Sequence, residues 1–118
     1  MRKIGSTIKG LVNYFEFDYE KTKNLTQRDK IQYSLAKVEY FLWDSKILWK
    51  IKGESNIYYF SCCGYDTSTT LNRLRAFLPI HKRKGKIYIN DTEININAIY
   101  KYDRYNDSIE KIKDWYYL

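Results

Sequence analysis

Val38-Glu39-Tyr40-Phe41-Leu42-Trp43-Asp44-Ser45-Lys46-Ile47-Leu48-Trp49-Lys50-Ile51 holds two apolar runs on either side of a polar triplet. In the first run Val38, Tyr40 and Leu42 alternate with Glu39, Phe41 and Trp43, the period of two that sends successive side chains to opposite faces of a strand. Asp44-Ser45-Lys46 is turn-forming, so the two runs predict a β-hairpin and commit the middle of the chain to an antiparallel sheet. Gly53-Glu54-Ser55-Asn56 predicts another turn. The run from Ile57 to Cys63 is apolar on both faces and is expected as a central strand, ended by Gly64.

Beyond Gly64 the period changes. Leu71, Leu74 and Leu78, with Phe77, recur at helical spacing behind Thr67, Ser68, Thr69 and Thr70, and Pro79 closes the segment. This predicts a helix of about three turns with its leucine stripe on the sheet, and Arg73 and Arg75 off that stripe or at its edges. A basic loop, His81 to Gly85, leads into a second hairpin. There Ile87 and Ile89 alternate up to a turn at Asn90-Asp91, and Ile94, Ile96, Ala98 and Tyr100 alternate beyond it.

The two ends are read by the same rules. Phe15, Phe17 and Tyr19 against Glu16 and Asp18 predict a strand within Leu11 to Tyr19. Glu20 to Ser34 supports two readings: Thr26 followed by Asp29 opens a short helix, whereas Ile31, Tyr33 and Leu35 alternate as a strand does. Asp107 with Glu110 three residues on is a capping-box-like start, and Ile109, Ile112, Trp115 and Tyr116 share a helical face, which predicts a C-terminal helix over 106–118. The expected whole is a single α+β domain over residues 1–118. It has a mostly antiparallel sheet of about four to six strands, one central helix packed on it and the C-terminal helix.

A chain of 118 residues suits one core. Aromatic residues make up 18%, with 13 Tyr, so tyrosine must supply much of that core, with hydroxyls at its wet margin. The abundance of Lys, Ile, Asn and Tyr is also what an AT-rich coding sequence writes. Cys62 and Cys63 are adjacent and close a disulfide only with strained geometry. With one histidine they cannot complete a four-ligand zinc site without carboxylates, and they are expected as buried small side chains in a reducing cytoplasm. No apolar run approaches the roughly 18 residues of a membrane span, and the first residues lead into no signal-type stretch. A soluble, unprocessed protein with no membrane partner is expected.

Charge is distributed unevenly. Thr67 to Asn90 contains no acidic residue and six basic ones: Arg73, Arg75, Lys82, Arg83, Lys84 and Lys86. The other 94 residues hold 15 basic and 14 acidic side chains, so the formal charge of +7 is local. Such a segment is the footprint of a surface that meets phosphates or an acidic partner. The six cations could track a nucleic-acid backbone, with Tyr88 or His81 offering a face for stacking. The plainer reading is a solvated loop that protects an edge strand. Thr67, Ser68, Thr69 and Thr70 form a candidate anion site, because a helix start presents free N–H groups; the plainer reading there is a simple cap.

Catalytic patterns are missing. The only histidine, His81, sits inside a run of cations, a poor setting for a general base. Carboxylates are scattered, with no metal-ligand spacing and no Gly-rich phosphate loop. No catalytic residue, metal or cofactor is expected.

Cys63-Gly64-Tyr65-Asp66-Thr67-Ser68-Thr69-Thr70-Leu71-Asn72-Arg73-Leu74-Arg75-Ala76-Phe77-Leu78-Pro79, followed by Lys84-Gly85-Lys86-Ile87-Tyr88-Ile89-Asn90, resembles a pattern in small proteins of bacteriophages and other mobile elements. In these a strand ends in Gly-Tyr, a Thr-x-Thr-Thr helix start leads to Arg-Leu-x-Ala-x-Leu, and a Lys-Gly-x-x-Tyr strand follows. The likeness covers residues 38–90; Arg75 stands where the pattern has Asn, and Ile87 where it often has Trp. The resemblance implies a non-enzymatic phage-type accessory protein of the bacterial host cytoplasm and, by association, a host-defence inhibitor such as an anti-CRISPR. It brings no catalytic residues.

The expected partner is nucleic acid or a host nucleoprotein complex. An alternative is a protein-interaction or virion structural module, in which Trp115, Tyr116 and Tyr117 anchor a partner or a second copy as a homo-oligomer. A small enzyme acting on a phosphorylated nucleotide near Thr69, Arg73 and Lys84 has the least support. The helix start and the basic loop lie at opposite ends of a helix about 15 to 18 Å long, which favours an extended polyanion over a single phosphate.

Overall fold

The computed structural model describes residues 23–24 and 28–114. In chain order these form β1 (Lys23–Asn24), β2 (Asp29–Tyr33), β3 (Lys37–Leu42), β4 (Ser45–Ile51), β5 (Ile57–Phe60), α1 (Ser68–Arg75), β6 (Ile80–Arg83), β7 (Lys86–Ile89), β8 (Thr92–Ile94), β9 (Ala98–Asp103) and β10 (Ser108–Asp114). A seven-stranded sheet runs β1-β2-β3-β4-β5-β9-β10, and a three-stranded sheet runs β6-β7-β8. Every pairing is antiparallel.

The expected α+β class with a C-terminal helix is therefore corrected: the fold is mostly antiparallel β, with one short helix among the described residues. Residues 108–114 are strand β10, paired along β9 from Ser108↔Asp103 to Asp114↔Ala98. The reason lies in the turn before it. The Asp103 carboxylate accepts the backbone N–H groups of Tyr105 and Asn106 at 3.0 and 3.1 Å, an Asx-type turn that sends the chain back along β9. Asp107, the expected cap, has φ +51, whereas an N-cap takes an extended backbone. A helix of about ten residues is marginal in water, and pairing with β9 satisfies the same backbone groups. The strand expected within Leu11 to Tyr19, and the anchors Trp115, Tyr116 and Tyr117, lie outside the described residues.

The opening hairpin forms as β3–β4, with its two-residue turn at Trp43-Asp44, one position earlier than the polar triplet indicated. Its alternation builds the core. Ile31 pairs Tyr40, Tyr40 pairs Leu48, Leu48 pairs Phe60 and Phe60 pairs Tyr100, so one buried row crosses five strands. Against this cluster pack Leu71, Leu74 and Leu78 of the helical segment and the inner face of the small sheet, Ile80, Ile87, Ile89 and Ile94. The stretch with two readings, Glu20 to Ser34, contains β2 at Asp29–Tyr33, as its Ile31/Tyr33 alternation indicated.

Four core tyrosines are buried, each with a protein partner for its hydroxyl. Tyr40 donates to the Asp29 carboxylate and Tyr102 to Asp107 at 2.5 Å. Tyr58 accepts from Arg104 at 2.9 Å, and Tyr100 from the backbone N–H of Asn95 at 2.8 Å. Three of these bonds lie at the part-buried margin of the core, on exposed partners, and a core this rich in phenols avoids unsatisfied hydroxyls through them.

Candidate nucleic-acid interface

The expected basic loop is a hairpin. Lys84 and Gly85 form its two-residue turn with φ of +52 and +80, the left-handed pair that a type I′ turn requires. Register then sorts the side chains. Arg83 pairs Lys86, His81 pairs Tyr88 and Tyr88 pairs Glu93, so these five share the outer face of the small sheet. Ile80, Lys82, Ile87, Ile89 and Ile94 share the inner face.

On the outer face the His81 ring stacks on Tyr88, with centroids 5.7 Å apart and planes within 20°. The Arg83 guanidinium lies 4.8 Å from the Tyr88 ring centre, a cation–π contact that holds its fork beside the aromatic pair. Lys86 is 3.9 Å from Glu93, both exposed, so this ion pair is weak and leaves the lysine open to a stronger anion. Lys84 projects from the exposed hairpin tip.

The six cations of the acid-free window do not form one surface. Arg73 is a correction: it is buried inside the protein, its guanidinium held by Asp29 through Nε–Oδ1 at 3.0 Å and Nη2–Oδ2 at 3.1 Å. Burial opposes its charge, but the hydrogen bonds and charge of Asp29 outweigh that and raise its pKa. Burial and the same carboxylate push the Tyr40 phenol far above its ordinary range. Arg75 is exposed but tied to the Ile80 carbonyl at 3.3 Å and to Asn72 at 3.0 Å. Lys82 lies on the inner face by register but stays exposed, meeting Asp66 at the surface, 3.4 Å from its carbonyl and 3.7 Å from Oδ2. Arg83, Lys84 and Lys86 remain together on the hairpin.

At the helix start Thr67 is the N-cap, with φ −73 and ψ 156, and its hydroxyl accepts the Thr70 N–H at 3.4 Å. Thr70 is buried, Ser68 is exposed, and the Thr69 carbonyl accepts from Arg73 Nη1 at 3.4 Å. The helix runs eight residues, about two turns rather than three.

Beside this helix start a cleft of about 390 Å³ opens between the β3–β4 turn and the loop after β5. Trp43 and Tyr65, 59% and 56% exposed, line it together with Arg28, Thr67 and Thr69, over buried Leu42 and Ile47. Sequence reasoning named Thr67 and Thr69 but missed Arg28, Trp43 and Tyr65, as it missed Asp29. Trp43 read as the last residue of a strand and Asp29 as a helix opener; neither local pattern records what lies opposite in space.

Cys62 and Cys63 are buried free thiols. Burial first, and then the neighbouring Cys63 and Asp66, push the Cys62 thiol up to about 12. Among the described residues no group of His, Cys, Asp and Glu is arranged to hold a metal, and no helix is long and apolar enough to cross a membrane. No protein-family model, no curated protein and no solved structure matches the chain.

Proposed function

We propose that the protein is a non-enzymatic binder of single-stranded nucleic acid, free or held in a nucleoprotein complex, and that the outer face of the β6–β7 hairpin is its contact surface. The observation that carries this reading is the grouping of Arg83 and His81 on Tyr88, with Lys84 and Lys86 alongside. Stacked rings offer a platform to an unpaired base, and the three cations offer charge to its flanking phosphates. The sequence resemblance to phage accessory proteins supports the setting: a host nucleoprotein complex, including a host-defence complex, as the physiological source of the strand.

The test is titration of a fluorescent single-stranded oligonucleotide at several salt concentrations. Three phosphate contacts predict a log–log slope of affinity on salt near −2. Replacing Arg83, Lys84 and Lys86 together by Glu should abolish binding while the melting curve stays cooperative. Affinity indifferent to both salt and the triple variant would remove the reading.

A further inference from the structure

The cleft between the β3–β4 turn and the loop after β5 is built differently from the basic hairpin. Trp43 has φ +56, a backbone conformation that a bulky side chain rarely takes. Its N–H is pinned to the Arg28 carbonyl at 2.6 Å, yet its ring is left 59% exposed. The fold thus holds a strained tryptophan outward, where it contributes little to the core. Tyr65, from a different part of the chain, brings a second exposed ring to the same cleft. The floor of Leu42, Ile47 and Thr70 is buried and preformed.

From this geometry we infer that the cleft binds one nucleobase, stacked against Trp43 and Tyr65, with the threonine hydroxyls at its polar edge. Its volume of about 390 Å³ falls in the range of small-ligand sites. A flat heteroaromatic ring satisfies two aromatic walls and a hydroxyl-bearing edge together, which an aliphatic ligand does not. Among flat rings a nucleobase also carries edge donors and acceptors, which threonine hydroxyls can meet. Asp66, next to Tyr65, is the residue to which Lys82 of β6 is tied, so the loop that carries Tyr65 touches the inner-face side of the small sheet, not the outer face. The cleft stands on its own residues and survives if the hairpin proves not to bind a strand.

Adenosine monophosphate is the probe, read by the indole resonance of Trp43, which is identified by its loss in Trp43→Phe. The expected result is a saturable shift of that resonance. Tyr65→Ala should weaken it roughly five-fold or more, the low end of base–aromatic stacking. Tyr105→Ala, which removes an exposed ring outside the cleft, should leave it unchanged. Tyr65 is itself exposed, so its variant keeps the test valid even if Trp43→Phe folds poorly. Absence of a saturable shift, or equal affinity in Tyr65→Ala, overturns the inference whatever the oligonucleotide titration gives. Displacement of the mononucleotide by an unlabelled single strand assigns the cleft to a base within a strand; no displacement assigns it to a free nucleotide. Both of these outcomes support a nucleobase site.

Discussion

Arg73 grips the Asp29 carboxylate with two hydrogen bonds across a separation of 44 residues, fastening helix α1 to β2. Tyr40 of β3 donates to the same carboxylate from the neighbouring strand. A buried ion pair adds little or no net stability compared with an apolar replacement, but removing one partner leaves an uncompensated charge. Arg73→Ala or Asp29→Ala should therefore destabilise the fold by about 3 to 5 kcal/mol in denaturant unfolding. Replacing Arg73 and Asp29 together by Leu should cost much less than the sum of the two single changes.

The β6–β7 turn separates folding from charge. Gly85 has φ +80 and open space around its Cβ position, so Gly85→Ala meets backbone strain without a clash and should cost about 1 kcal/mol in thermal melting. Lys84→Asn should act in the opposite direction, since Asn-Gly is the favoured type I′ pair, raising stability by up to about 1 kcal/mol. It also removes one cation, so oligonucleotide affinity should fall in a protein that melts higher.

Asp107 joins the two sheets, accepting from the Tyr102 hydroxyl at 2.5 Å and from the Asn90 side chain in the β7–β8 turn at 3.0 Å. These hydrogen bonds, that of Tyr102 first, hold its acid below the ordinary carboxylate value. Its contribution is complete above that ordinary value and is lost as pH falls through the depressed native one. Tyr102 has the opposite sign: burial, then Asp107, push its phenol from 10.0 up to about 12. Its contribution is complete below pH 10.0 and is lost as pH rises through about 12. Unfolding free energy measured across that alkaline window should fall more steeply in the wild type than in Tyr102→Phe.

Cys62 is fully buried, with its thiol pushed up to about 12, and Cys63 donates its Sγ proton to the Lys46 carbonyl at 3.2 Å. A thiolate-selective alkylating reagent should leave both unmodified in the native protein at neutral pH and label both in denaturant. Rapid native labelling, followed by mass spectrometry, would show a reactive pair instead.

Much of the sheet was legible because alternation is a local property. Val38, Tyr40 and Leu42 name their buried face without reference to any other strand, and Asn90-Asp91 marks its turn from two residues. The candidate surface was only partly legible. Arg83, Lys84 and Lys86 do share one hairpin, but Arg73 looked equivalent to them in the sequence and is the most deeply buried charge among them. The segment after Asp107 carried both a helical face and strand-forming residues; the unpaired edge of β9 decided between them.

The sequence by itself determined the turn at Asn90-Asp91, which residues of the central hairpin face inward, that a threonine caps the helix and that positive charge is concentrated after it. These follow from backbone geometry and side-chain chemistry within a few residues. Only the tertiary structure decided that residues 108–114 are strand, that Arg73 is spent on Asp29, that Lys82 faces inward while Arg83 and Lys86 face out, and that Trp43 and Tyr65 meet around one cleft. Each of those depends on a partner far away in sequence: a strand edge, a buried carboxylate, a register or an opposing loop.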